Sequence, residues 1–344
     1  MKRILIFKND MLGDFLSLSG CINAIHENYK DSKITLVCSK HNYKIAKNFY
    51  FINKFIVLNH KSFLKTIFQN FKDLMLLKYQ HIFVFDGKNS SFRTSYFIKS
   101  QNRSALCYWK KKKILTFKFN LYRPSKLFLN IFFKNHIICD EDYTNTQIRY
   151  QELYFKLLEN LQIKITNKRN YYILNKDYIP DYSSFFSNYI KNKYVLFHFD
   201  ERWDDYNEND YMNALKIIKN LSLKSMVIIT TGIKNFRLLG RLQKLFCSFD
   251  YIDRRIKKTN NLEPNKVLLI KYMPLDLLAH FISNSSKNIS SHSGPIVHIS
   301  PVFNVKVIDI IKKKKFNELS RWIPMTSNYK RYSFEEIEKY INDI

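Results

Sequence analysis

Asp14 lies at the first strand-to-helix turn of the chain, where a carboxylate is well placed for acid–base chemistry. The apolar run at residues 4–7 predicts a short buried strand, and helix-like spacing of apolar residues begins directly after the turn. At the carboxyl edge of a sheet, such a carboxylate can take a proton from an attacking hydroxyl. The alternative role for Asp14 is to cap the helix. Lys8, Asn9 and Asp10 are predicted to face the same edge, with Lys8 and Asn9 as acceptor contacts. The alternative is that these are solvated turn residues.

A second polar turn follows the strand predicted at residues 81–85, where Asp86, Gly87 and Lys88 occur in succession. Asp86 and Lys88 are candidates for holding an acceptor or a sugar hydroxyl, because ligands bind beyond the carboxyl ends of parallel strands. The alternative is ordinary turn chemistry, since Asp-Gly after a strand is a common turn sequence.

In the second half of the chain, Arg202 follows the strand predicted at residues 194–198. A guanidinium at this position is suited to bidentate contact with a diphosphate. The alternative is a surface ion pair with Asp204 or Asp205. Thr231 and Gly232 end the next predicted strand in the same way and are predicted to approach a nucleoside.

A further turn near the end of the chain combines Ser293, Gly294 and Pro295. Serine followed by proline in the first helical turn is a helix start signal, and the free amides there make a phosphate site. His292 and His298 flank this turn and are candidates for donor contact. The alternative is that both histidines are structural side chains with satisfied hydrogen bonds.

The chain carries a net charge of +28 over 344 residues, with 57 Lys and Arg against 29 Asp and Glu. This charge indicates an anionic partner such as nucleic acid or an acidic membrane surface. The alternative is that the charge has no functional role, because a nucleotide-biased genome also enriches lysine, asparagine and isoleucine. The lysine tracts at residues 110–113 and 312–315 are candidates for contact with anionic lipid or glycolipid. No nucleic-acid partner is predicted, since no known recognition motif accompanies these tracts.

Cysteine spacing and apolar run lengths exclude several other classes of protein. Five widely spaced cysteines without a Cys-x-x-Cys pair indicate neither a disulfide framework nor a zinc site. No apolar run approaches the ~20 residues that a membrane-spanning helix requires, and no secretory signal is visible. The expectation is a soluble, cytoplasmic protein with reduced, mostly buried cysteines and no metal site.

Alternating strand and helix patterns in both halves predict an α/β protein with two doubly wound parallel sheets. The predicted domains are residues 1–175 and 176–344, with the last helix packing back on the first domain. The segment 164–187, which contains Pro180, is the predicted linker.

Three of these segments, in this order, resemble glycosyltransferase family 9, which includes the lipopolysaccharide heptosyltransferases. The segments are Met-Leu-Gly-Asp at 11–14, Phe-Val-Phe-Asp-Gly at 83–87, and the turn, histidine and helix pattern at 294–307. The resemblance implies a GT-B fold, in which two Rossmann-like domains face each other across a cleft. The first domain would hold a lipid-linked glycan acceptor at an anionic membrane surface, and the second a nucleotide sugar.

The resemblance also implies an inverting, metal-independent transfer of sugar to a lipopolysaccharide or other cell-envelope glycan. Asp14 matches the base of the family, while Arg202 and the helix terminus at Gly294 would stabilise the departing diphosphate. No cofactor is implied beyond the nucleotide sugar, for which an ADP-linked sugar is one candidate. The sequence departs from the family at His292-Ser293-Gly294, where heptosyltransferases usually carry Asp-Thr-Gly or Asp-Ser-Gly, and this argues against ADP-heptose as the donor.

Two other functions remain open at the sequence level. One is a sugar-nucleotide epimerase or hydrolase of the same fold, which would consume the donor without an acceptor. The other is a non-catalytic basic protein that binds polyanions. Its binding would weaken steeply with salt and would not depend on Asp14.

Overall fold

The structure is a computed structural model that describes residues 2–58, 62–109, 112–114, 117–119, 124–140, 148–190, 192–291 and 294–340. The chain divides into two compact units, Met1–Tyr171 and Tyr172–Ile344. The boundary predicted from the sequence is 175/176.

The first unit is built on a six-stranded parallel sheet with the order β3-β2-β1-β4-β5-β8. A separate antiparallel hairpin, β6-β7, lies outside this sheet. The strands of this unit are β1 Lys2–Lys8, β2 Ser32–Ser39, β3 Ile52–Leu58, β4 Tyr79–Val84, β5 Ser100–Trp109, β6 Lys112–Ile114, β7 Phe117–Phe119 and β8 Asn135–Asp140.

Helices cover both faces of this sheet, which explains why residues 4–7 of its central strand β1 are buried without alternation. The helices are α1 Leu12–Asn28, α2 Lys40–Ala46, α3 Phe63–Gln69, α4 Phe71–Leu74, α5 Asn89–Phe97, α6 Lys126–Phe132 and α7 Tyr150–Glu159. Most consecutive strands are connected through a helix, and such a connection is long enough to join two parallel strands.

The second unit repeats this topology. Its sheet has the order β12-β11-β13-β10-β9-β14-β15-β16, and all its pairs are parallel except the hairpin β11-β12 at one edge. The strands are β9 Tyr194–Phe199, β10 Met226–Thr231, β11 Cys247–Ile252, β12 Arg255–Lys258, β13 Val267–Lys271, β14 Lys287–Ser290, β15 Lys306–Ile311 and β16 Tyr329–Ser333. The helices are α8 Ile179–Tyr189, α9 Glu208–Lys224, α10 Leu239–Leu245, α11 Leu275–Asn284, α12 Pro295–Ile299, α13 Phe316–Leu319 and α14 Ile337–Tyr340.

Short polar side chains begin several helices, as expected where the first backbone amides lack helical partners. Ser39, Ser62 and Ser125 accept a backbone N–H at the starts of α2, α3 and α6. Asn207 and Asp210 form a reciprocal capping box at the start of α9. These capping side chains determine locally where each of these helices begins.

Both units share the strand order of a doubly wound Rossmann-like sheet. In such a sheet, successive strands are added first towards one edge and then, from the centre, towards the other edge. The reversal lies between β1 and β4 in the first unit and between β9 and β14 in the second. Ligands of such sheets bind at the carboxyl ends of the strands beside this reversal. The α/β class with two Rossmann-like doubly wound domains, predicted from the sequence, is therefore confirmed.

Some elements differ from their predictions for physical reasons. Most of α8 lies within the predicted linker. Residues 63–77, whose apolar spacing is that of a single helix, form two short helices that meet at Asn70. Seven strands have no sequence prediction, namely β5, β6, β7, β8, β11, β12 and β16. Of these, β5 and β16 each include several polar residues that alternate poorly. The last helix contributes Ile337 to the apolar core of the second unit.

All five cysteines are buried and none forms a disulfide, as predicted. Among the described helices, none combines the length and apolar character that crossing a bilayer requires.

Candidate active site

Lys8 ends β1 with no exposed surface and holds the turn that follows it. Its Nζ lies 2.7 Å from Asp10 Oδ2, donates to the Tyr154 hydroxyl at 2.7 Å and lies 4.7 Å from the centre of the Tyr154 ring. Burial by itself would lower the pKa of Lys8. The combined attraction of Asp10, Tyr108 and Asp14 outweighs this effect, so the pKa of Lys8 lies above its ordinary value. The ammonium is therefore charged and enclosed, and it positions the turn.

Asp10 is held in this turn by contacts to both its backbone and its side chain. Its carbonyl accepts hydrogen bonds from Asn42 Nδ2 and Ser39 Oγ, each at 3.3 Å. Its Oδ1 is buried and has no hydrogen-bond partner among the described residues. Burial raises the pKa of Asp10 to about 7, with Lys8 opposing the rise and the nearby Asp14 adding to it. The sequence placed Asp10 at this edge without assigning it a role.

Asp14 is the third residue of α1 and is half-buried. The residue that caps this helix is Met11, which has extended backbone angles and no side-chain cap, so the structure does not use Asp14 as the N-cap. An acidic side chain in the first turn is stabilised by the helix dipole. The negative charge of Asp14 contributes to raising the pKa of both Lys8 and Asp10.

The turn after β4 is tied to the turn after β1. Asp86 accepts hydrogen bonds from the backbone N–H of Asn9 at 3.2 Å, the backbone N–H of Lys88 at 3.1 Å and the Ser91 hydroxyl at 2.6 Å. The Lys88 ammonium donates to the Asn9 carbonyl. The structure thus brings these predicted acceptor residues together, and it employs Asp86 and Lys88 in joining the two turns.

Two tyrosines that the sequence did not single out complete this edge. The hydroxyls of Tyr108 in β5 and Tyr154 in α7 lie 3.1 Å apart, and burial raises the pKa of both phenols. No local pattern could have connected Tyr154 with Lys8, because 146 residues separate them. Only the packing of α7 beside the turn brings the pair together.

In the second unit, the turn after β9 is anchored by Trp203. This side chain is fully buried, and its ring packs against Phe199 and Tyr206 with centroid distances of 4.5 and 4.9 Å. Trp203 lies in the short 3-10 helix Glu201–Asp205, which also carries Arg202. The Arg202 side chain is outside the described part of the structure, so its predicted diphosphate contact stays a prediction.

Thr231 and Gly232 form the turn after β10. Thr231 is fully buried, and its hydroxyl accepts the Tyr272 backbone N–H at 3.2 Å while it donates to the Gly232 carbonyl. The Gly232 N–H donates to the Phe199 carbonyl at 3.3 Å, which joins this turn to β9. Gly232 is half-buried and is the more accessible of the two.

Gly294 caps α12 with extended backbone angles, and Pro295 occupies the first turn as the sequence predicts. The helix has only five residues before it continues as the 3-10 segment Ser300–Phe303. His298 is buried inside the second unit. His292 and Ser293 lie outside the described residues, so their predicted donor contacts stay predictions.

The predicted residues therefore gather at two sheet edges, one in each unit. Lys8, Asn9, Asp14, Asp86 and Lys88 lie at the reversal point of the first sheet. At the corresponding edge of the second sheet lie the turns that carry Arg202, Thr231, Gly232 and Gly294. In the part of the chain that the structure describes, no group of three or more His, Cys, Asp or Glu side chains is arranged to hold a metal ion.

Solved structures with a similar fold include glycosyltransferases and an epimerase. A glycosyl transferase of family 9 from Veillonella parvula is 12% identical, with a TM-score of 0.66, over 99% of this chain and 91% of that chain. The E. coli heptosyltransferase WaaC with ADP is 12% identical, with a TM-score of 0.63, over 99% of both chains. The UDP-GlcNAc 2-epimerase from Methanocaldococcus jannaschii is 11% identical, with a TM-score of 0.52, over 100% of this chain and 92% of that chain.

No protein-family profile matches the sequence, and no curated protein matches it either. The likeness to solved structures covers nearly the whole chain and shows that this protein has the GT-B fold of the family 9 glycosyltransferases.

Proposed function

We propose that this protein is a glycosyltransferase that moves a sugar from a nucleoside diphosphate donor to a cell-envelope glycan such as lipopolysaccharide. The observation that carries the proposal is the position of Asp14 at the reversal point of the first sheet, in a chain whose whole length has the family 9 fold. Because one fold hosts many chemistries, this carboxylate is the stronger part of the argument.

In the proposed reaction, Asp14 takes the proton of an acceptor hydroxyl as the hydroxyl oxygen attacks the anomeric carbon. The bond from the acceptor oxygen to that carbon forms while the bond to the nucleoside diphosphate breaks, so the configuration is inverted. The buried Lys8–Asp10 pair and the contacts of Asp86 hold the turn before Asp14 in place. A fixed base contributes through its orientation as well as through its proton affinity.

The departing diphosphate needs compensation for its developing negative charge. Arg202 and the backbone amides after Gly294 would supply it without a metal ion, because cationic and amide donors at a sheet edge stabilise phosphate oxygens. Thr231 and Gly232 would face the nucleoside, with His292, Ser293 and His298 completing the donor side. On the acceptor side, Asn9, Asp86 and Lys88 would contact the glycan, and Lys8 would act through the turn.

The finer identity of both substrates is part of the proposal. The donor is a nucleotide sugar, for which an ADP-linked sugar is one candidate, and no other cofactor is involved. The acceptor is a lipid-linked glycan at the inner face of an anionic cytoplasmic membrane. The net charge of +28 supports this location, because long-range attraction concentrates a basic protein at an anionic surface.

A sugar-nucleotide epimerase or hydrolase is the second candidate, since an epimerase has the same fold at a lower TM-score. The two functions are separated by incubating the protein with a panel of nucleotide sugars, with and without delipidated and lipid-linked glycans. A transferase releases nucleoside diphosphate at a substantial rate only when an acceptor is present. Donor consumption at the same rate without any acceptor would instead establish the epimerase or hydrolase.

A non-catalytic polyanion-binding protein would consume no donor under either condition. Its binding to polyanions would fall steeply with added salt and would be unchanged in an Asp14→Asn variant. That result would reject the proposed transferase.

A further inference from the structure

Three helices of the first unit expose a set of large apolar side chains. We call this set the apolar helix face. It consists of Leu64 and Phe68 on α3, Tyr96 and Phe97 on α5, and Leu127 and Ile131 on α6. Isolated exposed apolar residues are normal on a protein surface, so the significance of this set depends on whether its members form one surface.

The helices of this face lie on the same side of the first sheet. Leu74 of α4, Phe92 of α5 and Leu129 of α6 share one apolar core cluster with Leu5 and Val84 of the central strands. Since α3 and α4 belong to the same connection between β3 and β4, and α3 packs against α5, all these helices form one layer. Their outward sides therefore belong to one surface.

Aromatic contacts join the helices along this layer. The Tyr96 ring of α5 lies 4.5 Å from the Phe132 ring and 6.0 Å from the Phe128 ring of α6. It also contacts Phe97 at 5.1 Å. The partly buried Phe128 and Phe132 thus continue the apolar surface inward from the exposed residues.

The most exposed residues are spaced four apart, which places them on one side of each helix. On α3, Leu64 and Phe68 are 53% and 72% exposed, and on α6, Leu127 and Ile131 are 70% and 58% exposed. Exposing apolar side chains of this size to water is unfavourable compared with burying them. Repetition of the same pattern on two helices points to a partner that covers both.

The charged residues of the helices α3 to α6 are almost all basic. The helices α3 to α6 carry Lys65, Lys72, Arg93 and Lys126 and a single acidic residue, Asp73. Asp73 is already paired with Lys54, with 2.5 Å between Nζ and Oδ1. Lys65, Lys72, Arg93 and Lys126 are all exposed.

We propose that the apolar helix face docks this protein on an anionic lipid bilayer. Leucine, phenylalanine and isoleucine would enter the boundary between headgroups and acyl chains, and the surrounding lysines would contact the headgroup phosphates. A second copy of the chain fits less well, because a symmetric contact would bring the basic residues of both copies together. An anionic bilayer complements the charge and the apolar surface at once.

This inference deepens the proposed function, on which its biological purpose rests, because a lipid-linked acceptor must be met at a membrane. The apolar helix face is separate from the lysine tract at residues 110–113, which the sequence suggests as a lipid contact. Residues 110 and 111 of that tract lie outside the described residues. The two suggestions are tested with separate variants.

The experiment measures co-sedimentation of the full-length protein with vesicles of phosphatidylglycerol and phosphatidylcholine, compared with phosphatidylcholine alone. We expect binding to the anionic vesicles that weakens with salt. The variants Phe68→Gln/Leu64→Gln and Leu127→Gln/Ile131→Gln remove apolar side chains from the face. Each double variant should bind at least about fivefold more weakly, since each apolar side chain contributes buried area in the interface.

A charge variant tests the lysines separately. Replacing Lys65, Lys72 and Lys126 with glutamine should weaken binding by about fivefold for each lysine that lies near the surface. Matched controls come from the second unit, where Leu223→Gln/Leu245→Gln changes two exposed leucines and Lys216→Gln/Lys219→Gln/Lys224→Gln changes three exposed lysines. Control variants should bind as the unmodified protein does.

Equal vesicle binding by face and control variants would overturn the proposal, as would loss confined to a variant with glutamine at residues 110–113. Hydrogen exchange of the unmodified protein gives a readout that does not depend on variant folding. Vesicles should slow exchange in α3, α5 and α6, and unchanged exchange there would reject the face. A concentration-dependent dimer that the face variants abolish, without vesicle binding, would identify a second copy as the occupant and also reject the bilayer.

Vesicle binding requires neither donor nor acceptor, so the two proposals can fail separately. Binding through the apolar helix face in a protein that consumes no nucleotide sugar would overturn only the proposed transferase. Acceptor-dependent transfer by a protein that does not bind vesicles through this face would overturn only the docking surface.

Discussion

The Nζ of Lys8 lies 2.7 Å from Oδ2 of Asp10, and the lysine has no exposed surface. Two residues apart in sequence, they form a buried ion pair that the Tyr154 hydroxyl extends at 2.7 Å from the same ammonium. This pair lies in the turn before Asp14 and links the position of the proposed base to the packing of the first unit.

Removing one member of the Lys8–Asp10 pair should destabilise the first unit. Lys8→Met leaves a buried carboxylate without its cation, and Asp10→Asn leaves a buried ammonium without its anion, so each should cost roughly 3–5 kcal/mol. The double variant should lose less than the sum, because neither charge is then left alone. Urea unfolding of all four proteins measures the coupling, and strictly additive losses would contradict the pair.

Asp14→Asn should lower acceptor-dependent turnover by about 10²- to 10⁴-fold while nucleoside diphosphate binding is retained, because the amide cannot accept the proton. Turnover and calorimetric binding are measured on the same preparation. Asp73→Asn in α4 is the matched control, since it changes an acidic residue elsewhere in the first unit. Unchanged turnover in Asp14→Asn would remove this residue from the role of base.

Arg202→Ala should weaken the binding of nucleoside diphosphates by about 10- to 100-fold, the loss expected for a charge-assisted hydrogen bond. Arg202→Lys should recover part of the affinity, because it restores the charge without the planar fork. Arg255→Ala on the edge strand β12 serves as the control. Calorimetric titration measures the dissociation constant of a nucleoside diphosphate for the unmodified protein and the three variants. Equal dissociation constants for all four proteins would reject Arg202 as a diphosphate contact.

Gly87→Ala should destabilise the turn after β4. Gly87 has a φ of +61°, and an added Cβ would lie 2.1 Å from Cδ2 of Tyr108, so both the backbone and the space oppose a side chain. A cost on the order of 2 kcal/mol follows from the strained backbone alone. Gly240→Ala in α10 is the matched control, because its Cβ would have no atom within 4 Å.

The control should stabilise the protein by about 0.5–1 kcal/mol, since alanine is the better helix former. Thermal and urea unfolding of both variants measure the opposite signs. Equal effects of the two substitutions would show that Gly87 is an ordinary turn residue.

The burial of His81 should make the free energy of unfolding depend on pH below neutrality. It is buried in β4, its Nε2 lies 2.9 Å from the Ser104 hydroxyl, and burial lowers its pKa to about 4. The unfolded chain, with the ordinary pKa of 6.5, binds more protons between pH 4 and 6.5. The contribution of the neutral His81 ring to the free energy of unfolding is therefore complete above pH 6.5. This contribution is lost as the pH falls towards 4, by about 3 kcal/mol in all.

His81→Gln removes this titration, so the stability of the variant relative to the unmodified protein should rise as the pH falls from 7 to 4. Urea unfolding at a series of pH values gives the difference directly. Parallel curves for the two proteins would show that His81 is not held neutral by the fold.

Much of the architecture could be predicted from local patterns. Residues 4–7 and 194–198 are predicted from their apolar runs to be buried strands, and each lies within an observed strand of similar bounds. The strand β5 escaped prediction, because it begins Ser-Gln-Asn-Arg-Ser and gains its strand partners from two neighbours distant in sequence. Segments whose side chains follow the period of their own element are predictable, and segments held mainly by their neighbours are not.

The candidate site divides in the same way. Asp14, Asp86 and Gly294 could be found from the sequence, because each lies between a strand pattern and the body of the helix that follows it. The use of Asp86 as an acceptor for Asn9 and Ser91 could not, since three separate backbone positions must first be brought together.

The sequence by itself determined two doubly wound sheets and the edges at which polar residues would gather, because apolar periodicity and turn chemistry act over a few residues. The tertiary structure alone decided that Lys8 is enclosed against Tyr154 and that Leu64, Phe68, Leu127 and Ile131 belong to one exposed surface. Both outcomes depend on which helices cross to the same side of the sheet. That choice is made by long-range packing, which a local pattern does not contain.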